Sequence, residues 1–328
     1  MSLAKSTTQL IIKHKKGDKM NESILITGAN NGLGKEAARQ LALKKETKKV
    51  ILFCRNQVRA EAAKKDLEEQ TGKKIFEIII GDVSDANSVR NAVEKIKEPI
   101  DAVILNAGGM VGKQAGKMTP SGMNELAATN ILGHVVLVDE LLKHNKLKKA
   151  VLSVSAEAVP GVKMLGMKPV SMKTSSADDF TAVLDGSYFG EKFDPVQAYG
   201  YVKYAITMWT LSMARKYPDI KFIVVSPGNT TGTAAPDNLP PAMRFMLKNF
   251  MMPVVFPLIG GMVHKLEIGA KRFVDGISDE RYKTGVFYAS KEGKLAGDMV
   301  DQSTFYTDLR NTTFQDNADK AIHRFIKL

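Results

Sequence analysis

The chain has 328 residues, of which 44% are hydrophobic and 25% charged, and this excludes a disordered, collagen-like or multi-span membrane chain. A single cysteine closes no intrachain disulfide, so the fold must stand on core burial, and the length allows one large domain or two small ones. Lys and Arg number 47 against 35 Asp and Glu, a formal charge of +12 that makes nucleic acid the first partner to test.

Residues 1–20 carry five lysines and one aspartate and read as a basic extension ahead of a domain at 21–328. They lack the uninterrupted apolar core of a signal peptide. Ser23–Thr27 is a β-branched run that predicts a strand stopping at Gly28. Helical spacing follows over 33–45, with Leu33, Ala37, Ala38 and Leu41 on one side. A strand is expected at 50–54, a charged helix at 61–70 and a strand at 75–80. Ser84 is the expected N-cap of a helix that turns Val89, Val93 and Ile96 inward. A strand at 102–105, a long apolar helix at 126–142 and a strand at 150–154 come next. The helix 199–216 and the strands 221–225 and 286–289 complete the pattern. Continuous apolar strands alternating with helices predict a parallel sheet covered on both faces, a doubly wound α/β (Rossmann) fold in a single domain. Ligands on such sheets bind beyond the carboxyl ends of the strands.

The positive charge is spread along the chain. Lys143, Lys146, Lys148 and Lys149 sit where a helix ends and complement its dipole. No basic stretch is interleaved with aromatics and no zinc-finger spacing occurs, so solvated lysine faces are expected and no nucleic-acid partner. The longest apolar region, 245–263, is broken by Lys248, Pro253, Pro257 and two glycines, too interrupted for a transmembrane helix. A cytoplasmic protein is expected, with peripheral membrane contact and homo-oligomer formation left open. His134 and His144 show no metal-ligand spacing, and no metal is assigned.

After the first strand comes Thr27, Gly28, Ala29, Asn30, Asn31, Gly32, Leu33 and Gly34, then a helix. Glycines there permit positive φ and let backbone N–H groups approach a pyrophosphate, which the helix N-terminus also favours. These residues are the expected dinucleotide cradle. About twenty positions on, where an acid would hold the ribose 2′-hydroxyl, stands Cys54, followed by Arg55. Cys54 cannot bind that hydroxyl as an acid does, and Arg55 can pair with a 2′-phosphate, assisted by Lys35. The expected cofactor is NADP rather than NAD.

Tyr199 and Lys203 stand at i, i+4 and would share a helix face. A neighbouring ammonium favours the phenolate, so Lys203 is expected to lower the tyrosine's pKa and make Tyr199 a general acid/base.

These features occur in a fixed order with others: Gly81-Asp82-Val83, LNAG at 105–108, Asn130 in TNILGH, and Ser226-Pro227-Gly228. The ordered set resembles the short-chain dehydrogenase/reductase family over residues 21–290. CRN at 54–56 and LGH at 132–134 are most similar to the branch of retinol dehydrogenases and protochlorophyllide oxidoreductases. The resemblance implies that Asp82 and Val83 hold the adenine. It implies that Asn106, Ala107 and Gly108 let the cofactor lie close to the strand end. Asn130 would hold a water relaying protons to Lys203, which also bonds the nicotinamide ribose. Pro227, Gly228 and a threonine among Thr230, Thr231 and Thr233 would contact the carboxamide and pyrophosphate.

The family's substrate-binding serine has no counterpart, because Ala156 aligns with it. Ser155 is the candidate donor, reached through a bulge or one-residue slip. Two alternatives stand beside it. In one the reaction depends less on a carbonyl donor, as in C=C reduction; in the other the chain is a weak or inactive NADP-binding regulatory protein. Tyr199 follows Ala156 by 43 positions, a segment that carries Met164, Met167, Met172, Phe180, Tyr188 and Phe193. A second long segment, 234–264, is rich in Met and Phe, including Met243, Phe245, Met246, Phe250, Met251, Met252 and Phe256. In the family this stretch lids the substrate, so a bulky hydrophobic carbonyl, alcohol or enone-like substrate is expected.

Overall fold

A computed structural model describes residues 21–162, 168–191, 193–232 and 241–326. The basic extension, Met164, Met167 and Thr233 lie outside the described residues. Eight strands form one sheet in the order β3-β2-β1-β4-β5-β6-β7-β8. They are β1 (Ser23–Thr27), β2 (Lys49–Cys54), β3 (Phe76–Ile80), β4 (Ile100–Leu105), β5 (Leu147–Val154), β6 (Lys221–Val225), β7 (Val286–Ser290) and β8 (Met299–Asp301). The first seven run parallel, and β8 pairs antiparallel with β7. Strand order reverses between β1 and β4, which opens a crevice at their carboxyl ends.

Both faces of the sheet are covered, as its unbroken apolar strands require. On one face α1 (Gly32–Ala42), α2 (Gln57–Thr71) and α10 (Leu266–Ser278) pack Ala38, Leu41, Leu67, Phe273 and Ile277 against Ile24, Leu52 and Ile223. On the other, α3 (Ala86–Glu94), α5 (Gly133–Lys143) and α7 (Pro195–Lys216) pack Val89, Val135, Leu137 and Trp209 against Leu25, Val103 and Val224. The C-terminal α11 (Thr312–Ile326) lies outside α7 and α6 (Ala177–Asp185) and buries Ala318, Ala321 and Ile322.

Two local expectations are corrected. The cap of α3 is Asp85, whose carboxylate accepts from the N–H groups of Asn87 and Ser88, while Ser84 bonds to Asp82. The long helix expected at 126–142 is instead α4 (Glu125–Ala127), a π-helical turn Ala128–Leu132 and α5. The π turn carries Asn130. Its amide donates to Leu126 O at 2.8 Å and to Gly109 O at 2.9 Å, and accepts from Gly109 N at 3.0 Å. A residue 21 positions away thus holds the wider turn, and no local periodicity could report that.

Candidate active site

The crevice between β1 and β4 is lined by backbone held unusually close. Gly28 has φ +68, and a Cβ there would lie 3.1 Å from Ala107 Cα. A Cβ on Gly34 would lie 2.5 Å from both Gly28 O and Asn106 Nδ2. These two glycines therefore serve packing within the turn. Gly32, at φ +53, differs, because nothing lies within 4 Å of its Cβ position. It faces open space at the start of α1, whose first turn carries no acid to compete with an anion. Asn31 caps this helix through its own side chain. Those features fit a dinucleotide pyrophosphate.

Several expected cofactor contacts turn out to brace the cradle. Asn106 Nδ2 donates to Thr27 O at 2.9 Å, and Thr27 Oγ1 accepts from the N–H groups of Asn106 and Ala107, both at 2.9 Å. Gly108 packs on Asn130, where a Cβ would lie 2.5 Å from Oδ1. Val83 O accepts from Gly133 N at 2.8 Å, and a Cβ on Gly133 would strike Val83 at 2.4 Å. Asp82 binds Ser84 through Oδ1.

Cys54 closes β2 and is buried. Burial pushes its thiol up to about 11, partly offset by the N–H groups of Ala29 and Asn30 that face the sulfur. The cysteine is thus a neutral support under the glycine-rich turn. Arg55 beside it is exposed. Lys35, the expected helper toward a 2′-phosphate, pairs with Asp66 on α2, both side chains partly exposed.

Opposite the cradle, α7 begins with Asp194 as N-cap and Pro195 in its first turn. Tyr199 and Lys203 lie one turn apart on it, with Lys203 Nζ 5.6 Å from the tyrosine ring centre. Lys203 is buried and donates to Val154 O at 3.0 Å, at the end of β5. Burial pulls its ammonium down to about 8. The expected lowering of the Tyr199 pKa is corrected. Desolvation pushes the phenol up to about 12, while the Lys203 ammonium is turned toward Val154 O.

Asn130 is buried, and both its amide hydrogens are taken by Gly109 O and Leu126 O. Its side chain has no donor left for a relay water. Its backbone oxygen lies 3.1 Å from His134 Nδ1. A carbonyl only accepts, so that nitrogen carries the proton and Nε2, 3.0 Å from Thr27 Oγ1, accepts from the hydroxyl. Burial, then the charge of Lys203, pulls His134 down to about 3, so the ring is neutral. It ties the π turn to the cradle.

Ser155 does not replace the missing serine. The β5–β6 register runs unbroken from Ala150↔Lys221 to Val154↔Val225, and Ser155 N donates to Val225 O at 2.9 Å. No bulge or slip turns the hydroxyl toward the cleft. Thr207 donates to Lys203 O at 2.7 Å, so the 2.8 Å bond between Ser155 and Thr207 uses the serine's own proton. Thr210 likewise donates to Ile206 O at 2.8 Å, and its 2.7 Å bond to Ser153 uses that serine's proton. Both serines face α7, while Ala156 is partly exposed at the strand's end.

The far wall is the loop after β6. Thr230 Oγ1 lies 3.2 Å from both Pro227 O and Gly228 O, and Thr231 N donates to His264 O at 2.9 Å. A Cβ on Gly269 would lie 2.6 Å from Thr230 Oγ1 and 2.9 Å from Leu33, so this loop meets the glycine-rich turn across α10. Three buried or half-buried groups missed in the sequence shape it. His264 Nε2 donates to Pro227 O at 2.7 Å. Arg272 donates to Ser226 O at 3.0 Å and Gly297 O at 2.7 Å, and pairs with Glu157. Burial pushes the Glu157 carboxyl up, offset mainly by Ser290 N and Arg272. The one sequence signal is an arginine on the apolar stripe of α10.

A separate cavity of about 520 Å³ lies at the amino ends of the strands, lined in part by Glu22, Lys48, Asp101 and Lys149. It is remote from these groups, and Lys48 and Lys149 are paired there with Glu22 and Asp101.

A doubly wound sheet with a glycine cradle at its switch point defines a dinucleotide-binding architecture. The family model for short chain dehydrogenases matches residues 22–162. The chain is 30% identical over 210 residues to dehydrogenase/reductase SDR family member 12 of Bos taurus, covering 63% of this chain and 60% of that one. It is 28% identical to human retinol dehydrogenase 13, over 60% of this chain and 54% of the relative. It is 27% identical to chloroplastic protochlorophyllide reductase of Chlamydomonas reinhardtii, over 86% and 74%. The chain thus spans less than two thirds of the bovine and human relatives' lengths. Among solved structures, L-sorbose reductase from Gluconobacter frateurii, complexed with NADPH and L-sorbose, shares the fold at TM-score 0.61 and 17% identity, over 85% of this chain and 97% of that one. Over residues 22–162 the chain thus carries the short chain dehydrogenase pattern, and it is similar to a retinol dehydrogenase and to a protochlorophyllide reductase.

Proposed function

We propose that this chain is an NADP-dependent oxidoreductase that reduces a hydrophobic carbonyl or enone-like substrate, with Tyr199 as the proton donor. The observation that carries the reading is the pairing of Tyr199 and Lys203 on one face of α7, tied to Val154 O at the carboxyl end of β5, the same edge of the sheet where β1 ends in the glycine cradle. NADPH bound there would supply the hydride.

Asn30, Asn31, Gly32 and Leu33 would receive the pyrophosphate at the α1 N-terminus, with Thr27, Gly28 and Gly34 shaping the turn that presents them. Arg55 would pair with the 2′-phosphate, which Cys54 does not repel as an acid would. Asp82 and Val83 would hold the adenine. Ala107, Gly108, Pro227, Gly228, Thr230 and Thr231 would line the nicotinamide half, with Asn106 bracing that wall. A phenol pushed up to about 12 is protonated at neutral pH, which suits donation to substrate, the reductive direction. Lys203 would hold the ribose and supply positive charge as the phenolate forms. Asn130 and His134 would position the π turn beside them.

Ala156 favours a second reading. With no serine donor there, losing one oxyanion contact costs about 10²–10³ in rate. C=C reduction needs that donor less, and a regulatory NADP-binding protein needs none. The test is NADPH and NADH oxidation with a panel of hydrophobic aldehydes, ketones and enones, for the wild type and Tyr199→Phe. Turnover lost in the variant supports the enzyme. Tight NADPH binding with no turnover in either protein supports the regulatory reading.

A further inference from the structure

Beyond β6 the chain forms α8 (Pro241–Met246), a π-helical stretch Leu247–Val255 and α9 (Phe256–Ile259), which place large apolar side chains in solvent. Leu258 is 83% exposed, Phe245 71%, Phe250 57% and Met246 52%. Val254 and Ile259 are also exposed. Met246, Phe250, Val254 and Leu258 recur every fourth residue, a spacing that keeps them on one side of a helix wound with α and π turns. The opposite side is anchored, because Phe256 and the following Met262 are buried. An amphipathic helix thus stands with its apolar stripe outward and its inner side fixed to the fold.

The segment's own charge has one sign. Residues 241–266 contain no Asp or Glu and carry Arg244, Lys248 and Lys265. Exposed Lys294 donates to Gly260 O at 3.3 Å and so sits at the helix's end. Exposed apolar residues on a segment with basic and no acidic residues, in a chain of net charge +12, match an anionic lipid headgroup layer above an acyl boundary. A second copy of the chain fits worse, since a two-fold contact would press one basic rim against the same rim. Among the described residues no helix is long and apolar enough to cross a membrane, so contact here is with the surface.

We propose that the α8–α9 helix docks this protein on an anionic membrane surface, with Phe245, Phe250 and Leu258 entering the lipid boundary. The helix follows the Pro227–Thr231 loop in the chain, so docking sets the candidate site near the bilayer, where hydrophobic molecules concentrate.

Vesicle flotation of the full chain tests this without turnover, so its outcome is separate from that of the proposed reaction. Phosphatidylcholine vesicles are compared with vesicles containing about one third phosphatidylserine, at low and high salt. The expected result is binding to the anionic vesicles, weakened by salt, and reduced about tenfold or more in the double variant Phe250→Ser, Leu258→Ser. An unchanged melting temperature controls for folding. Leu258→Trp supplies a second readout, because the lone native Trp209 is fully buried and changes little. Its emission should shift blue on anionic vesicles. Failure to float with either vesicle, binding unaffected by the double substitution, or self-association that the substitutions abolish without any vesicle binding would each overturn the proposal.

Discussion

Lys203 donates its ammonium proton to Val154 O at 3.0 Å while lying 5.6 Å from the centre of the Tyr199 ring. The cation is therefore anchored to the sheet and presented to the tyrosine from below. This arrangement gives Tyr199 a neutral phenol and a nearby charge ready for the phenolate. Tyr199→Phe removes only the hydroxyl. Turnover should fall by about 10²–10⁴ with NADPH affinity nearly unchanged, read by steady-state kinetics beside a binding titration. A drop confined to KM would assign the hydroxyl to binding alone.

Lys203 should cost stability. Burial pulls its pKa down to about 8, from an ordinary 10.5, so below pH 8 the folded chain holds a charge it disfavours. Between about 8 and 10.5 the unfolded chain binds more protons, and the stability contributed at this position rises with pH. Lys203→Met should lose activity yet melt at the same or a higher temperature at pH 7. Its advantage over the wild type should shrink as pH rises through that window. Thermal melts across pH 7–10.5 check this, and a Met variant that melts lower throughout would contradict it.

In the proposed carbonyl reaction, Ala156 would leave the developing charge without a serine to share it. Ala156→Ser adds the hydroxyl at a partly exposed strand end. Turnover on aldehydes or ketones should rise, by up to about 10²-fold. Enone reduction should change little. No gain, or a loss, on every carbonyl tested would count against an alanine-limited mechanism.

The sheet and its order of motifs are readable in the residues because each strand here is a short apolar run ended by a glycine, arginine or loop. β1 and β6 fall at the expected residues for that reason. Strand β8 did not announce itself, being three residues on an edge whose pairing depends on β7. The site divides the same way. Residue types were legible, since Tyr199, Lys203, Gly28 and Asn130 stand at recognisable spacings. Directions were not. Ser155 is sequestered by Thr207, 52 residues on, and Asn130 is spent on Gly109. Lys203 fails to lower the Tyr199 pKa because enclosure, a property of the whole fold, sets the larger effect.

Arg55 should discriminate between the two nicotinamide cofactors. It is exposed at the end of β2, beside a cysteine with no charge to repel a phosphate. Arg55→Gln removes one charge-assisted pair and no core contact. The Kd for NADPH should rise about tenfold or more, with NADH affinity unchanged, read by fluorescence titration of both. Equal weakening toward both cofactors would move Arg55 from the 2′-phosphate to a general role.

His323 fastens the C-terminal helix through a charge. On α11 it places Nε2 3.0 Å from Asp139 Oδ2 on α5, and Nδ1 2.8 Å from Asp319 O. The Asp139 and Asp319 carboxylates push its pKa up to about 10, from an ordinary 6.5. Lys216 on α7 also pairs with Asp319, so the two acids join α5, α7 and α11. Because the folded pKa is raised, the stabilisation is fully present below pH 6.5 and fades as pH rises through about 10. The imidazole is about one third exposed, so solvent screening keeps the effect modest. His323→Gln should lower the melting temperature by a few degrees at pH 6. The gap from wild type should narrow steadily and close near pH 10, and subtracting the two curves removes the opposite trend contributed by Lys203. A gap that is independent of pH would mean that His323 acts through packing rather than charge.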